Sequence, residues 1–176
     1  MGKWKTCAVC CALCLAAGSA QAMSHEMEAR ADIRDPAGKS IGTATLTEQK
    51  DGVKVKLEVS GLAPGKHGFH IHEKGACTPP DFKSAGGHFN PFKKQHGMDN
   101  PKGKHVGDFQ NLEVKSDGTA EATVVAAGAT LKEGKGSLLK KGGTAIVIHA
   151  DPDDYKSDPA GKAGDRVACG VIVKKK

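Results

Sequence analysis

No stretch of this 176-residue sequence is apolar for long enough to cross a bilayer as a helix, which takes about 20 residues. The most apolar run, Cys7 to Ala17, is eleven residues long, so a membrane span is excluded. The sequence also lacks an apolar pattern of period 3.6, an internal repeat, and any dense run of basic residues before Lys174, Lys175 and Lys176 at its end. The first lack argues against a helical fold, the second against a solenoid. The third argues against a nucleic-acid partner, the terminal lysines reading as a solvated tail. Aromatic residues make up only 4% of the chain.

What is present begins with a leader. Lys3 and Lys5 precede the apolar run, which ends in Ala20-Gln21-Ala22, a small-x-small pattern of the kind cut after export. Residues 1–22 therefore read as a secretory signal peptide, and 23–176 as the mature chain, with 23–28 a flexible N-terminus. Four cysteines lie in the leader, but none follows the Leu-small-small residues that a lipid anchor needs. Cleavage after Ala22 leaves 154 residues, Met23 to Lys176, enough for one domain with a hydrophobic core. The leader takes two lysines and no acid with it, so the mature chain carries 24 basic and 20 acidic residues, a mild +4.

Export changes what the cysteines mean. Cys7, Cys10, Cys11 and Cys14 leave with the leader, and Cys77 and Cys169 remain in an oxidising compartment, where they have one intramolecular pairing open to them.

The apolar pattern has period two. Val53-Lys54-Val55-Lys56-Leu57-Glu58-Val59 alternates cleanly, one face for a core and one for water. Further strands are expected near 27–34, 40–48, 66–73, 111–116, 119–127, 144–150 and 166–173, with turns at Pro36-Ala37-Gly38, Asp51-Gly52 and Asp117-Gly118. Eight short strands with glycine-rich turns predict an all-β, antiparallel sandwich or barrel. Two connections, 74–110 and 151–165, are too long for turns and are rich in Gly, Pro, His, Asp and Lys, which marks them as functional.

The histidines account for those loops. His70 and His72 flank Ile71, so both fall on the strand face opposite Phe69 and Ile71. His88, His96, His105 and Asp108 follow in the first loop, and His149 ends the strand Ala145-Ile146-Val147-Ile148-His149. Imidazole suits zinc and copper, and three histidines with a carboxylate make a closed tetrahedral zinc shell. Two four-coordinate metals need eight donors, whereas six histidines and Asp108 offer seven residues. Either one imidazole serves both metals, with His88 placed between the two groups in sequence, or a catalytic metal keeps three ligands and a water.

Gly68-Phe69-His70-Ile71-His72-Glu73-Lys74-Gly75-Ala76-Cys77, Ser84-Ala85-Gly86-Gly87-His88-Phe89-Asn90-Pro91, His96-Gly97, His105-Val106-Gly107-Asp108 and Asp165-Arg166-Val167-Ala168-Cys169-Gly170-Val171-Ile172 closely resemble the copper/zinc superoxide dismutases over nearly the whole mature chain. The leader and the short second loop are similar to the bacterial periplasmic branch. The resemblance implies an eight-stranded antiparallel Greek-key β-sandwich or flattened barrel, one copper and one zinc per subunit, superoxide as substrate and a location in the periplasm. It implies copper on His70, His72, His88 and His149, zinc on His88, His96, His105 and Asp108, and His88 as the bridging imidazolate. It assigns Asp153 as the carboxylate linking His70 and His96, His67 as a buried structural histidine, and Arg166 with His88 as the catalytic residues. Copper would alternate between Cu(II) and Cu(I) as superoxide is converted to dioxygen and hydrogen peroxide. Loops of the Cys77 region form subunit contacts in the family, which leaves a homodimer open. Lys83, Lys156 and Lys162 are candidates for steering the anion.

A rival of another class is an exported copper and zinc buffer or delivery protein without turnover. Met23-Ser24-His25-Glu26-Met27 supplies thioether and imidazole donors near a free amine that favour it. Arg166 favours the enzyme, since a buffer needs ligands but has no use for a cation that receives an anion.

Overall fold

The structure is a computed structural model and describes residues 1–2 and 27–175. Beyond its first two residues the expected leader lies outside the described residues, as does the 23–26 segment. Among the described residues ten strands are formed: Glu28–Arg34 (β1), Ser40–Gln49 (β2), Gly52–Val59 (β3), Gly65–His67 (β4), Phe69–His72 (β5), Leu112–Val114 (β6), Ala120–Ala127 (β7), Ala145–His149 (β8), Arg166–Val171 (β9) and Val173–Lys174 (β10). One 3-10 turn, Lys83–Ala85, is the only helical element among the described residues.

The period-two reading of β3 holds residue by residue: Val53, Val55, Leu57 and Val59 are buried, whereas Lys56 and Glu58 face water. Paired with β2 and β7 along its full length, β3 forms one wall of a core completed by Ile33, Leu46, Phe69, Ile71, Leu112, Ile146 and Ile148. The main sheet runs β5-β8-β9-β1-β2-β3-β7, with β10 also on β1, and β4 pairs with β6 apart from it. The pairings of β3 with β7 and of β9 with β1 join strands distant in sequence, the mark of Greek-key connections. All registered pairs are antiparallel.

Two expected strands are each divided. The 66–73 segment breaks at Gly68, with β4 pairing β6 and β5 pairing β8. A Cβ at Gly68 would lie 2.9 Å from the Ala163 side chain, and its backbone bonds to Asp151 and His149 rather than to a ladder, so the chain crosses between sheets there. The 166–173 segment breaks at Ile172, whose N–H donates to Thr144; β9 pairs with both β8 and β1, whereas β10 beyond the break pairs with β1. The start of β1 at Glu28, with Met27 packed on the core, puts order inside the stretch expected to be a loose N-terminus. A third long connection, 128–144, joins the two expected ones; the Glu48 carboxylate tethers it by accepting from Thr130 Oγ1 and the Leu131 N–H.

The topology positions the site. Strands β5 and β8 sit together at one end of the sheet, and the loop from 73 to 111 returns along β5. Ile71 bonds to Gly107 and Phe89, with His70 opposite Asp108 and His72 opposite His88. Gly107 lies so close to the Ile71 carbonyl that any Cβ there would collide with it, which explains a glycine between His105 and Asp108.

Candidate metal centre

Strand alternation turns the histidines to one side. On β5, Phe69 and Ile71 enter the core while His70 and His72 face away from it; on β8, Ile146 and Ile148 enter the core while Val147 and His149 face away. His70 pairs with Val147 and His72 with Ala145, and the loop brings His88 over them. All seven donor residues are buried. The structure gathers His70, His72, His88 and His149 in one set and His88, His96, His105 and Asp108 in another, the donor atoms of each set within 4.8 Å of one another. His88 belongs to both.

Hydrogen bonds decide which nitrogen each ring presents. His70 uses Nε2 on Asp153 Oδ2 at 2.7 Å, His72 uses Nδ1 on the Gly86 carbonyl at 2.9 Å, and His149 uses Nδ1 on the Gly164 carbonyl at 3.3 Å. What remains for the first set is His70 Nδ1, His72 Nε2, His149 Nε2 and His88 Nε2. In the second set His88 Nδ1 lies 2.8 Å from Asp108 Oδ1, His96 Nδ1 3.1 Å from Oδ2, and His105 Nδ1 3.3 Å from Oδ1. His96 Nε2 bonds Asp153 Oδ1 at 3.0 Å. One carboxylate, Asp153, thus holds a ring of each set by the nitrogen turned away from the centre, which fixes both tautomers.

Four buried ring nitrogens, His70 Nδ1, His88 Nε2, His96 Nδ1 and His105 Nδ1, make no aligned hydrogen bond, the last two lying close to Asp108 without the geometry of one. A buried polar atom left so costs about 1 to 3 kcal/mol, and every one of these points into a donor set. A metal ion in each set removes that cost, so the residues fit two ions, one with four imidazoles and one with three imidazoles and a carboxylate.

The electrostatics of the metal-free chain agree. Burial lowers His70 to about 3 and His149 to about 4, and lowers His72 and His88 as well, keeping these rings neutral as ligands must be. Burial opposes protonation of His96 also, but the Asp108 and Asp153 carboxylates outweigh it and raise this ring to about 9. Both acids are depressed despite their burial, Asp108 by His105, His88 and His96, and Asp153 by His70 and His96. Near pH 7 the metal-free site therefore holds a proton on His96, and a metal ion entering this donor set must displace it. Uptake of zinc by the metal-free protein at pH 7 to 8 should release roughly one proton per ion, and affinity should rise with pH until about 9. Calorimetry in buffers of different ionisation enthalpy checks this; no buffer dependence would contradict it.

Arg166 stands across from His149 in the β8–β9 register, where a bulge interrupts the ladder. Its Nη1 donates to the Phe82 carbonyl at 2.8 Å and its Nη2 to the Gly86 carbonyl at 2.7 Å. These bonds fix the fork, and the Gly86 carbonyl also takes the His72 N–H. Outside lies a recess of about 510 Å³ lined by Pro80, Asp81, Lys83, Asp165 and Arg166 among others. Of the lysines expected to steer an anion, Lys83 lines this recess, 3.2 Å from Asp81; Lys156 and Lys162 are exposed on the second loop and do not. Cys77 and Cys169 are joined in a disulfide. His67 is buried apart from both sets, bonded to the carbonyls of His149 and Ala63. Met23 to Glu26 are outside the described residues, and Met27 packs on the core.

Sequence reasoning missed the groups behind Asp153. Asn111 clamps its backbone, and Tyr155 donates its N–H to Asp153 Oδ1 at 2.6 Å. Asn111 had no motif to mark it, lying at the start of an expected strand.

A family model described as copper/zinc superoxide dismutase matches residues 40–172. The chain is 54% identical over 152 residues to superoxide dismutase [Cu-Zn] 1 of Aquifex aeolicus, an alignment covering 85% of this chain and 90% of that protein. It is 46% identical over 147 residues to a superoxide dismutase [Cu-Zn] of Caulobacter vibrioides, covering 82% and 84%. Among solved structures, a SOD-like protein from Bacillus subtilis superposes with a TM-score of 0.79 at 39% identity, covering 82% of this chain and 97% of that one.

Proposed function

The chain belongs to the copper/zinc superoxide dismutase family, and from that membership we propose the part each residue takes in converting two superoxide ions and two protons to dioxygen and hydrogen peroxide. Copper would be held by His70, His72, His88 and His149, and zinc by His88, His96, His105 and Asp108. The observation that carries the assignment is the pair of buried donor sets meeting in one imidazole, with unpartnered nitrogens turned into them. Bound copper supplies the one-electron couple that oxidises one superoxide and reduces the next, while zinc has no redox chemistry.

The residues do the rest. Arg166 receives the anion: its guanidinium is permanently charged, and two carbonyl bonds hold it in one orientation. Lys83, on the same recess, adds to the attraction. His88 Nε2, which has no partner in the metal-free chain, takes up a proton and returns it to the reduced oxygen species, while Nδ1 stays anchored beside Asp108. Asp153 keeps His70 and His96 in register throughout.

Residues 23–176 act as one exported domain in antioxidant defence of the cell envelope. The leader ending at Ala22 supports cleavage there, and the Cys77–Cys169 disulfide supports an oxidising compartment such as the periplasm. One exported sample tests the whole reading: its mass should begin near Met23, it should contain one copper and one zinc per chain, and it should accelerate superoxide decay. Metals without turnover would leave a metal buffer instead. Arg166→Glu separates the two further. With both metals retained, it should slow the second-order rate by about 10- to 100-fold, the scale of electrostatic steering, and Arg166→Lys should slow it much less. Added salt should slow the parent enzyme through screening. An Arg166→Glu variant as fast as the parent would remove Arg166 from catalysis.

A further inference from the structure

Resting on the proposed role of Asp153, we infer that Asn111 is a positioning residue for both metal centres, acting through the backbone of the Asp153 carboxylate that joins them. The Asp153 N–H donates to Asn111 Oδ1 at 2.8 Å, and Asn111 Nδ2 donates to the Asp153 carbonyl at 3.0 Å. One side-chain amide thereby satisfies both peptide groups of one residue. Asn111 is held in turn: its own N–H donates to the Tyr155 hydroxyl at 2.8 Å. Tyr155 returns to the same acid, its N–H donating to Asp153 Oδ1.

The consequence is geometric. Asp153 lies in the second long loop, between the end of β8 and the start of β9, with no sheet ladder to fix it. Its carboxylate nevertheless has to meet His70 Nε2 with one oxygen and His96 Nε2 with the other. A carboxylate on a free loop would meet one ring at the expense of the other. Asn111 precedes β6, whose Leu112 and Val114 are buried in the core, so the clamp ties Asp153 to the barrel itself. Gly161 marks how little tolerance the place has, because a Cβ there would overlap the Asp153 carboxylate and come within 2.7 Å of His96 Nε2.

The test compares Asn111→Ala, Asn111→Asp and Asp153→Asn, with Val55→Ala in the β3 core as the control for general loosening. In the metal-free protein, the ring N–H protons of His70 and His96 are followed by NMR for exchange with solvent. Cobalt(II) alone is then titrated into the zinc residues, and its visible absorption and affinity are read. Asn111→Ala should speed exchange at both rings together, weaken cobalt binding by about tenfold and alter the absorption bands. Asn111→Asp, which keeps an acceptor for the Asp153 N–H but loses the donor, should do the same more weakly, and serves alone should the alanine variant not fold. Val55→Ala should leave exchange at the two rings and the bands as they are. If Asp153→Asn alters the bands and neither Asn111 variant does, the clamp is not a positioning device and the inference fails. If Asp153→Asn leaves them unaltered as well, the reading of Asp153 fails with it.

Discussion

Replacing both Cys77 and Cys169 by serine should lower the unfolding free energy of the metal-free protein by about 4 to 5 kcal/mol, on the chain-entropy scaling for a loop of this length. The two cysteines are 92 residues apart in sequence, with Cα atoms 5.6 Å apart, so the bond closes a loop of more than half the chain. The effect should reach the active centre. Cys77 begins the part of the first loop that contains Phe82 and Gly86, and Phe82 and Ala85 pack with Ala145, Val147 and Cys169 in a small cluster on the outer side of β8. The carbonyls of Phe82 and Gly86 hold the Arg166 guanidinium, and Gly86 also holds His72 Nδ1. Without the link, the loop depends on that small cluster and on hydrogen bonds such as Lys74 N–H to the Ala85 carbonyl, so the double variant should lose activity before it loses metal. Urea unfolding with superoxide decay on the same samples checks both parts. A loss below about 1 kcal/mol would mean that the cluster, rather than the covalent bond, secures the loop.

How much of this was legible in the sequence varies from element to element, for physical reasons. The β3 wall could be read because Val53, Val55, Leu57 and Val59 meet a core on one face and their neighbours meet water, which is what a period of two records. The outer faces of β5 and β8 are different: loops cover them, so all four residues of β5 and all five of β8 are buried and alternation no longer distinguishes inside from outside. There the chemistry of the side chains was informative instead, since His70, His72 and His149 are costly to bury without a function. The breaks at Gly68 and Ile172 could not be read, because the first reflects a change of partner strand and the second the loss of one, and neither leaves a trace in local pattern. The same limit hid Asn111: its amide bonds a residue 42 positions away, and nothing in its neighbourhood announces that contact. Arg166 was reached through the resemblance of Asp165 to Ile172 to a known family, yet its anchorage to Phe82 and Gly86 joins residues 84 and 80 positions apart and needed the fold.

Replacing His88 by alanine should have the largest effect on function, because this is the residue that both donor sets share. Loss of a hydrogen-bond partner of a metal ligand costs about 10- to 100-fold in affinity or activity, so removing a ligand common to two centres should lower the dismutation rate on the order of 10³-fold. The fold itself should survive, since the His88 ring lies outside the main hydrophobic core. Two losses should be separable. Without Nδ1 beside Asp108, the zinc residues keep His96, His105 and Asp108 and should bind zinc more weakly; without Nε2, the copper residues keep His70, His72 and His149. Copper supplied in excess should therefore refill its own residues without restoring turnover to the parent rate, because the nitrogen proposed to take up and return the proton is gone. The decisive measurement uses cobalt in place of zinc beside Cu(II): the magnetic coupling of the two ions through a shared imidazolate should be present in the parent chain and absent in His88→Ala with both sites filled. Coupling that persisted in the variant would show that some other group connects the centres, and His88 would then be a ligand to at most one of them.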